Sequence, residues 1–202
     1  MPRSLDFWFD FASTYSFLSA KRIGSQAVEQ HVAVRWRPFL LGPVFQAQGW
    51  TSSPFNIYPA KGRYMARDMR RIAATRGHEF AMPVPFPQRS ITAARVALAV
   101  SETAGSERCA AFSKAVFEAQ FEQARQLDDK LMLVEKVQAL GLDSQGVMAL
   151  AEGPEIKARL RSETEAAVAL GIFGAPAFVT SDGELFWGDD RLRQALRHAA
   201  LV

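Results

Sequence analysis

Two serines stand where the first strand of the chain is expected to end and the first helix to begin. Leu5, Phe7, Phe9 and Phe11 alternate with Asp6, Trp8 and Asp10, the period of a half-buried strand. From Tyr15 onward the apolar residues follow helical spacing. The change falls at Ser13, and Ser16 follows three residues later. The Ser13 hydroxyl can cap the helix by accepting a backbone N–H, or it can donate to an anion held at the positive end of the helix. A thiolate is one such anion, and the sequence leaves both roles open.

The thiol itself is missing from this position. Ser-x-x-Ser occupies the place where thioredoxin-like oxidoreductases carry Cys-x-x-Cys, so a ligand would have to supply the sulfur. The single cysteine, Cys109, lies in an alanine-rich segment, where we expect it to be a small buried hydrophobe. One cysteine forms no internal disulfide, and His31, His78 and His198 follow no ligand spacing. No metal site is therefore expected.

The composition is that of a globular protein with a substantial core. The chain has 202 residues, of which 49% are hydrophobic and 22% charged, and its formal net charge is +3. Arginines concentrate over residues 63–76 at helical spacing, which predicts a solvated face or the rim of a pocket for an anionic substrate. No recognition motif accompanies them, so nucleic-acid binding is not expected. No apolar run is long enough to span a bilayer and no signal segment follows Met1, which predicts a cytoplasmic protein without a membrane partner.

The order of the predicted elements indicates the fold. A strand, a helix over residues 13–29 and a second strand ending at Pro38 form a β-α-β unit, and residues 39–53 read as a loop. Helices dominate residues 59–170, with Gly77, Gly141 and Gly153 between them, and a β-hairpin over residues 177–187 precedes a terminal helix. This order predicts an α/β fold: a discontinuous thioredoxin-like domain (residues 1–40 and 171–202) that carries a large all-helical insertion (residues 41–170).

Four motifs, in this order, resemble one known family. They are Phe-Asp-Phe-Ala-Ser-Thr-Tyr-Ser at 9–16, Asn-x-x-Pro-x-Lys-x-x-Tyr-x-x-x-Asp at 56–68, Gly-Ile-Phe-Gly-Ala-Pro-Ala-Phe at 171–178 and Phe-Trp-Gly-Asp-Asp-Arg-Leu at 186–192. Together they resemble the 2-hydroxychromene-2-carboxylate isomerases, which are relatives of kappa-class glutathione transferases and of DsbA-type oxidoreductases. The resemblance covers essentially the whole chain and implies glutathione as cofactor and a homodimer.

The resemblance also implies a glutathione site. Ser13 corresponds to the serine that hydrogen-bonds the glutathione sulfur and favours its thiolate. Ala175 and Pro176 correspond to a cis-proline corner whose backbone pairs with the cysteinyl part, although a proline here can also simply open a strand. Asp189 and Asp190 correspond to the loop pair that holds the γ-glutamyl end, and Asp189 is equally suited to cap the terminal helix.

Four further residues are assigned by the same resemblance to the substrate side of the site. Asn56 and Lys61 correspond to polar residues that face the sulfur and the substrate, although a lone lysine on a helix is also an ordinary solvated residue. Tyr64 fits the family pattern, although its role can also be only to tie the insertion together. Arg89 stands near a place where relatives have asparagine, and it can alter the substrate pocket. Thr14 replaces a common proline, which changes only the entry to the helix.

These assignments predict an enzyme. The first reading is a glutathione-dependent isomerase that converts 2-hydroxychromene-2-carboxylate, or a close aromatic analogue, to trans-o-hydroxybenzylidenepyruvate in the catabolism of aromatic compounds. The second is a kappa-class-like glutathione transferase, which would use the same site. The third is a non-catalytic thioredoxin-fold binding module, which would leave the polar glutathione-facing residues unexplained. A disulfide oxidoreductase is not expected, because positions 13 and 16 lack cysteine.

Overall fold

A four-stranded mixed sheet joins the two ends of the chain. The structure, a computed structural model, describes residues 3–202. Met1 and Pro2, which the sequence analysis includes in the thioredoxin-like domain, lie outside the described residues. The strands are β1 (Ser4–Phe9), β2 (Ala33–Pro38), β3 (Ala177–Thr180) and β4 (Leu185–Trp187), in the order β2-β1-β3-β4. β1 pairs parallel with β2 and antiparallel with β3, and β3 pairs antiparallel with β4. This is the sheet of the thioredoxin-like fold that the order of elements predicts.

Ten α-helices surround this sheet within residues 3–202. They are α1 (Thr14–Ala20), α2 (Ile23–Glu29), α3 (Leu41–Ala47), α4 (Pro54–Ile57), α5 (Pro59–Thr75), α6 (Ile91–Phe121), α7 (Lys130–Ala139), α8 (Ser144–Glu152), α9 (Pro154–Ala169) and α10 (Leu192–Ala199). Between β2 and β3 the described chain is helical or irregular, as expected for the insertion. No helix in the described range combines the length and apolarity needed to cross a bilayer.

The first strand is buried on both faces rather than on one. Phe7 and Phe178 belong to the larger core, which α1, α2, α6 and α10 complete. On the other face Trp8 packs with Phe39, Val44 of α3 and Ala167 of α9. The alternating pattern predicted a half-buried strand, and this was wrong because helices of the insertion cover the second face. β1 is therefore a rigid central strand, and its C-terminal end has a fixed position.

Two local predictions also need correction. The helix expected over residues 13–29 is broken at Lys21 and Arg22, which separate α1 from α2. Arg22 leaves the helical conformation (φ −129°) with its guanidinium bound to Asp189, a partner 167 positions away that local spacing does not reveal. The loop expected over residues 39–53 contains α3, which begins where Asp10 accepts the Leu41 N–H at 2.7 Å.

Cys109 is confirmed as a buried hydrophobe. It is 1% exposed on α6, and burial raises the pKa of its thiol to about 11. A protonated, enclosed thiol does not act as a nucleophile at neutral pH. Any reactive sulfur at the serine motif must therefore come from outside the chain.

A surface ion pair predicts a measurable pH effect on stability. Asp182, in the turn of the β3–β4 hairpin, accepts from Thr180 Oγ1 at 2.5 Å and lies 2.8 Å from His198 Nε2 of α10. The Thr180 bond, and after it His198, lowers the Asp182 pKa from 3.8 to about 2. Because the folded-state pKa is depressed, the stabilisation is present above pH 3.8 and is lost as the pH falls towards about 2.

Asp182→Asn should therefore flatten the decline in stability between about pH 4 and about pH 2. Urea unfolding at several pH values across that range measures how steeply the free energy of unfolding falls with pH. Glu184→Gln, in the same turn, is the matched control and should unfold with the slope of the wild type. If the free energy of unfolding falls equally steeply with pH in the wild type and in Asp182→Asn, the bonds of Asp182 do not contribute to the pH dependence of stability.

Candidate functional site

Ser13 lies at the N-terminus of α1 with its hydroxyl in two hydrogen bonds. Its Oγ accepts the Ser16 N–H at 3.1 Å, which makes it the N-cap, and donates to the Ala175 carbonyl at 3.0 Å. The residue is 8% exposed. Both roles that the sequence left open are structurally available, since the hydroxyl proton that now serves Ala175 can turn towards an anion in front of the helix. The first-turn N–H groups and the helix dipole favour such an anion.

Asp10 fixes the turn that carries Ser13. Its carboxylate accepts the Ala12 N–H at 2.9 Å and the Leu41 N–H, and its carbonyl accepts the Ser13 N–H at 2.9 Å. Burial raises the Asp10 pKa, an effect that the bonds from Leu41, Ser90 and Ala12 oppose. One side chain thus joins the end of β1, the start of α1 and the start of α3. The serine hydroxyl is held by a backbone that has little freedom to move.

The Ala175–Pro176 bond faces Ser13 and is cis, as the resemblance implies. Gly188 donates its N–H to the Pro176 carbonyl at 3.0 Å, which joins this corner to the loop after β4. A side chain at Gly174 would displace the Trp187 indole, because a Cβ atom there would lie 2.5 Å from Trp187 Nε1. Within residues 3–202 the Ala175 N–H donates to no protein acceptor, so it is available to pair with an extended ligand backbone.

Asp189 is a buried junction between distant parts of the chain. Its Oδ1 accepts from Ser19 Oγ and from Arg22 Nη2, each at 2.9 Å, and its Oδ2 accepts from Arg76 Nη2 at 2.7 Å. The residue is 5% exposed. Both oxygens are therefore engaged by the protein, and Asp189 joins α1, the break before α2, the end of α5 and the start of the terminal helix.

Asp190 has the opposite environment. Its side chain is 73% exposed and pairs with Arg191 at 2.8 Å. Asp189 to Arg191 form a 3₁₀ turn that leads into α10. Of the two aspartates predicted for the γ-glutamyl end, Asp190 has a carboxylate that a ligand can reach.

An apolar cleft of about 470 Å³ lies beside the serine motif. Phe55, Met65, Met82 and Phe86 supply apolar lining, and Asn56 and Arg63 supply polar groups. Met65 is also in contact with the start of α1, since its Sδ lies 3.5 Å from Thr14 Oγ1. A planar apolar ligand in this cleft would therefore lie next to the position of an anion held at Ser13.

The residues predicted for substrate binding separate in the structure. Asn56 lines the apolar cleft, and its Nδ2 donates to Ser52 Oγ at 3.2 Å. Lys61, Tyr64 and Arg89 are exposed and are not part of the cleft lining. Tyr64 instead packs under Arg71, whose guanidinium lies 5.5 Å from the ring centre.

Asp68 connects the insertion to the serine helix. It accepts from Tyr15 Oη of α1 at 3.2 Å and from Arg71 at 3.0 Å. Burial, and then the Asp68 charge, raises the pKa of Tyr15, which stays a neutral donor. This contact holds α5, and with it one wall of the apolar cleft, against α1.

Sequence reasoning assigned several residues of the site incompletely or not at all. Arg63 was predicted only as one of the arginines over residues 63–76, which were expected on a solvated face or at the rim of a pocket for an anionic substrate. It follows Pro59 by one helical turn and precedes Ala66 by another on the cleft-lining face of α5. Asp10 looked like an ordinary polar position of an alternating strand. The partnership of Arg22 and Arg76 with Asp189 had no signal, because 167 and 113 positions separate the partners.

Comparisons with known proteins agree with this architecture. Residues 4–200 match the family model of the DSBA-like thioredoxin domain. The chain is 26% identical over 193 residues to a 2-hydroxychromene-2-carboxylate isomerase from Sphingobium xenophagum, covering 95% of both. It is 24% identical over 207 residues to glutathione S-transferase kappa 1 from Homo sapiens, covering 95% of this chain and 88% of the relative.

A solved structure has the same fold. A 2-hydroxychromene-2-carboxylate isomerase superposes with a TM-score of 0.84 at 24% identity, covering 98% of this chain and 99% of that one. The cis-proline corner, the serine at the first helix and the inserted helices are thus set in a known architecture. Since the family model spans nearly the whole chain, the protein belongs to the family of DSBA-like thioredoxin domains.

Proposed function

We propose that this protein is a glutathione-dependent isomerase of 2-hydroxychromene-2-carboxylate or a close aromatic analogue, acting in aromatic catabolism. The observation that supports this most is one juxtaposition. The Ser13 hydroxyl at the N-terminus of α1 faces the cis-proline corner, and the apolar cleft touches the same helix through Met65. The relatives named above include proteins of this activity and a glutathione transferase.

The residues present fit glutathione. The free Ala175 N–H can pair with the cysteinyl backbone, and the exposed Asp190 carboxylate can accept the γ-glutamyl ammonium group. Ser13 can donate to the sulfur at the positive end of α1. The Asp189 carboxylate is already saturated, so in this proposal it shapes the loop rather than touching the ligand.

Glutathione, when bound, supplies a thiolate nucleophile whose addition to the conjugated double bond allows rotation and whose elimination restores the free thiol. Ser13 stabilises the anionic form of that sulfur by a hydrogen bond. The apolar side chains of the cleft would pack against the ring of the substrate, and the first turn of α1 would hold the negative charge close to it. Because the elimination would return glutathione unchanged, no atoms would be gained or lost by the substrate and the net reaction would be an isomerisation.

Arg63 is our candidate for the group that binds the substrate carboxylate. It lines the apolar cleft, whereas Lys61 and Arg89 do not. Arg63→Gln should raise KM for the aromatic carboxylate about tenfold, since a charge-assisted hydrogen bond contributes about 1.5–3 kcal/mol. Steady-state kinetics at saturating glutathione measure this change.

Arg67→Gln is the matched control for Arg63. Arg67 is exposed one turn further along α5 and is not part of the cleft lining. It should leave KM unchanged, and both variants should bind glutathione like the wild type. An equal rise in KM for the two variants would show a general field effect and contradict the assignment.

The decisive experiment is the conversion of 2-hydroxychromene-2-carboxylate to its open-chain isomer, followed by absorbance with and without glutathione. Turnover that requires glutathione supports the proposal. Glutathione binding without turnover, together with adduct formation on an electrophile, would instead establish the transferase alternative. Absence of both binding and turnover would leave the non-catalytic module.

A further inference from the structure

One wall of the apolar cleft is an irregular segment of the chain. Residues 82–88, which we call the proline-rich segment, supply Met82 and Phe86 to the lining, whereas the opposite wall belongs to α4 and α5. Three residues of this segment are prolines, which have no N–H to donate, and the segment forms neither helix nor strand. Regular secondary structure therefore does not fix the position of this wall.

Two glutamine side chains, which we call the glutamine clasp, hold the segment instead. Gln126 Nε2 donates to the Val84 carbonyl at 3.0 Å, and Gln126 Oε1 accepts from Gln88 Nε2 at 2.7 Å. Gln88 Oε1 in turn accepts the Leu127 N–H at 2.8 Å. Within residues 3–202, these three bonds are the only hydrogen bonds that join the proline-rich segment to the rest of the protein.

The base from which Gln126 reaches the segment is fixed. The neighbouring Arg125 donates its N–H to the Ala119 carbonyl of α6 at 2.9 Å. Its guanidinium pairs with Asp129 at 2.7 Å and with Glu135 of α7 at 2.6 Å. The glutamine clasp thus ties one wall of the apolar cleft to the junction of α6 and α7.

Packing alone leaves this wall free on its outer side. Pro83 is buried, but Val84, next to it, is 81% exposed. Met82 and Phe86 are half-buried. Apolar contacts are not directional, so they hold the segment against the core without setting its distance from α5. The hydrogen bond from Gln126 to the Val84 carbonyl sets that distance.

The side chains of the two walls suit a flat ring. Phe55 and Met65 lie on the side of α4 and α5, and Met82 and Phe86 lie on the proline-rich segment. Aromatic rings and polarizable thioethers contact both faces of a planar ring best when the walls stay at one separation. A saturated ring is puckered and thicker, so it gains less from a fixed separation.

We propose that Gln88 and Gln126 are positioning residues that hold the apolar cleft at a width selective for flat aromatic rings. They act through Met82 and Phe86 and do not touch the ligand themselves. The inference deepens the function proposed above and rests on it for the identity of the substrate. The selectivity for flat rings itself requires no glutathione.

Calorimetric titration with a matched pair of carboxylates tests the glutamine clasp. 2-Naphthoate is flat, and decahydro-2-naphthoate has the same skeleton with puckered rings. Gln126→Met keeps the length of the side chain and removes two of the three bonds. It should weaken binding of 2-naphthoate about fivefold, the effect of losing roughly one net hydrogen bond, and leave the decahydro analogue within about twofold of the wild type.

Two further variants make the test specific. Gln88→Met should weaken binding of 2-naphthoate by the same factor, and the double variant should be no weaker than either single one, because the glutamine clasp acts as a unit. Gln123→Met, at an exposed position three residues before Gln126, is the matched control. It should bind both carboxylates like the wild type.

The outcomes separate this inference from the proposed function. In the isomerase assay, Gln126→Met should raise KM about fivefold and leave kcat and its pH profile unchanged. If the wild type shows no turnover, the proposed function fails, while the titrations still decide the inference. Equal affinity of wild type and Gln126→Met for 2-naphthoate, equal weakening for both carboxylates, or a wild type without preference for the flat one would overturn it.

Discussion

Ser13→Ala should raise the pKa of bound glutathione by about one to two units, because a hydrogen bond to a charged group contributes about 1.5–3 kcal/mol. At neutral pH the fraction of thiolate then falls, and turnover should fall about ten- to a hundredfold. The loss should be largely recovered at higher pH, where the thiol ionises without help. Ultraviolet absorbance of the thiolate and a pH profile of kcat measure the two effects.

The controls for Ser13 come from the same motif. Ser16 Oγ is fully buried and has no hydrogen-bond partner in residues 3–202, so Ser16→Ala should leave the profile unchanged. Ser13→Thr keeps a hydroxyl that can both cap and donate, and should retain a lowered pKa. Loss of the N-cap costs Ser13→Ala about 1 kcal/mol of stability, which urea unfolding reports separately. An unshifted pH profile in Ser13→Ala would show that the serine is an N-cap only.

Asp189→Asn should lower the free energy of unfolding by about 3 kcal/mol, since removing one partner leaves buried charges uncompensated. Arg22 and Arg76 are 18% and 29% exposed, and both direct their guanidinium groups at the Asp189 carboxylate. An asparagine amide cannot neutralise either charge. Urea unfolding monitored by circular dichroism measures the loss.

Two further variants should destabilise the protein less than Asp189→Asn does. Arg76→Gln leaves Asp189 paired with Arg22, so its cost should be smaller, about 1–2 kcal/mol. Asp190→Asn removes an exposed pair and should change stability by less than about 0.5 kcal/mol, while it weakens glutathione binding. Substitution of Asp189 should thus change mainly the stability of the protein, and substitution of Asp190 mainly its affinity for glutathione. If Asp189→Asn and Asp190→Asn prove equally stable, the junction assigned to Asp189 is wrong.

Much of the fold follows from local pattern. The alternation over β1, the helical spacing after Ser13 and the hairpin near the C-terminus are properties of short windows, and each predicted an element that the structure has. Gly105 (φ 83°) interrupts α6, because its conformation is one that other residues avoid. The position of Ser13 at a helix start was also readable, since a capping serine and a change of period coincide there.

Local residue patterns therefore establish the order of the elements, the serine in place of a thiol and the motifs of the family. Tertiary structure alone decided which side chains meet: that Asp189 is engaged by Arg22 and Arg76, that Arg63 rather than Lys61 lines the apolar cleft, and that Asp10 holds two helix starts. The physical reason is distance along the chain. Periodicity and capping are set by neighbours within a few residues, whereas the pairing of charges depends on how the inserted helices pack against the sheet.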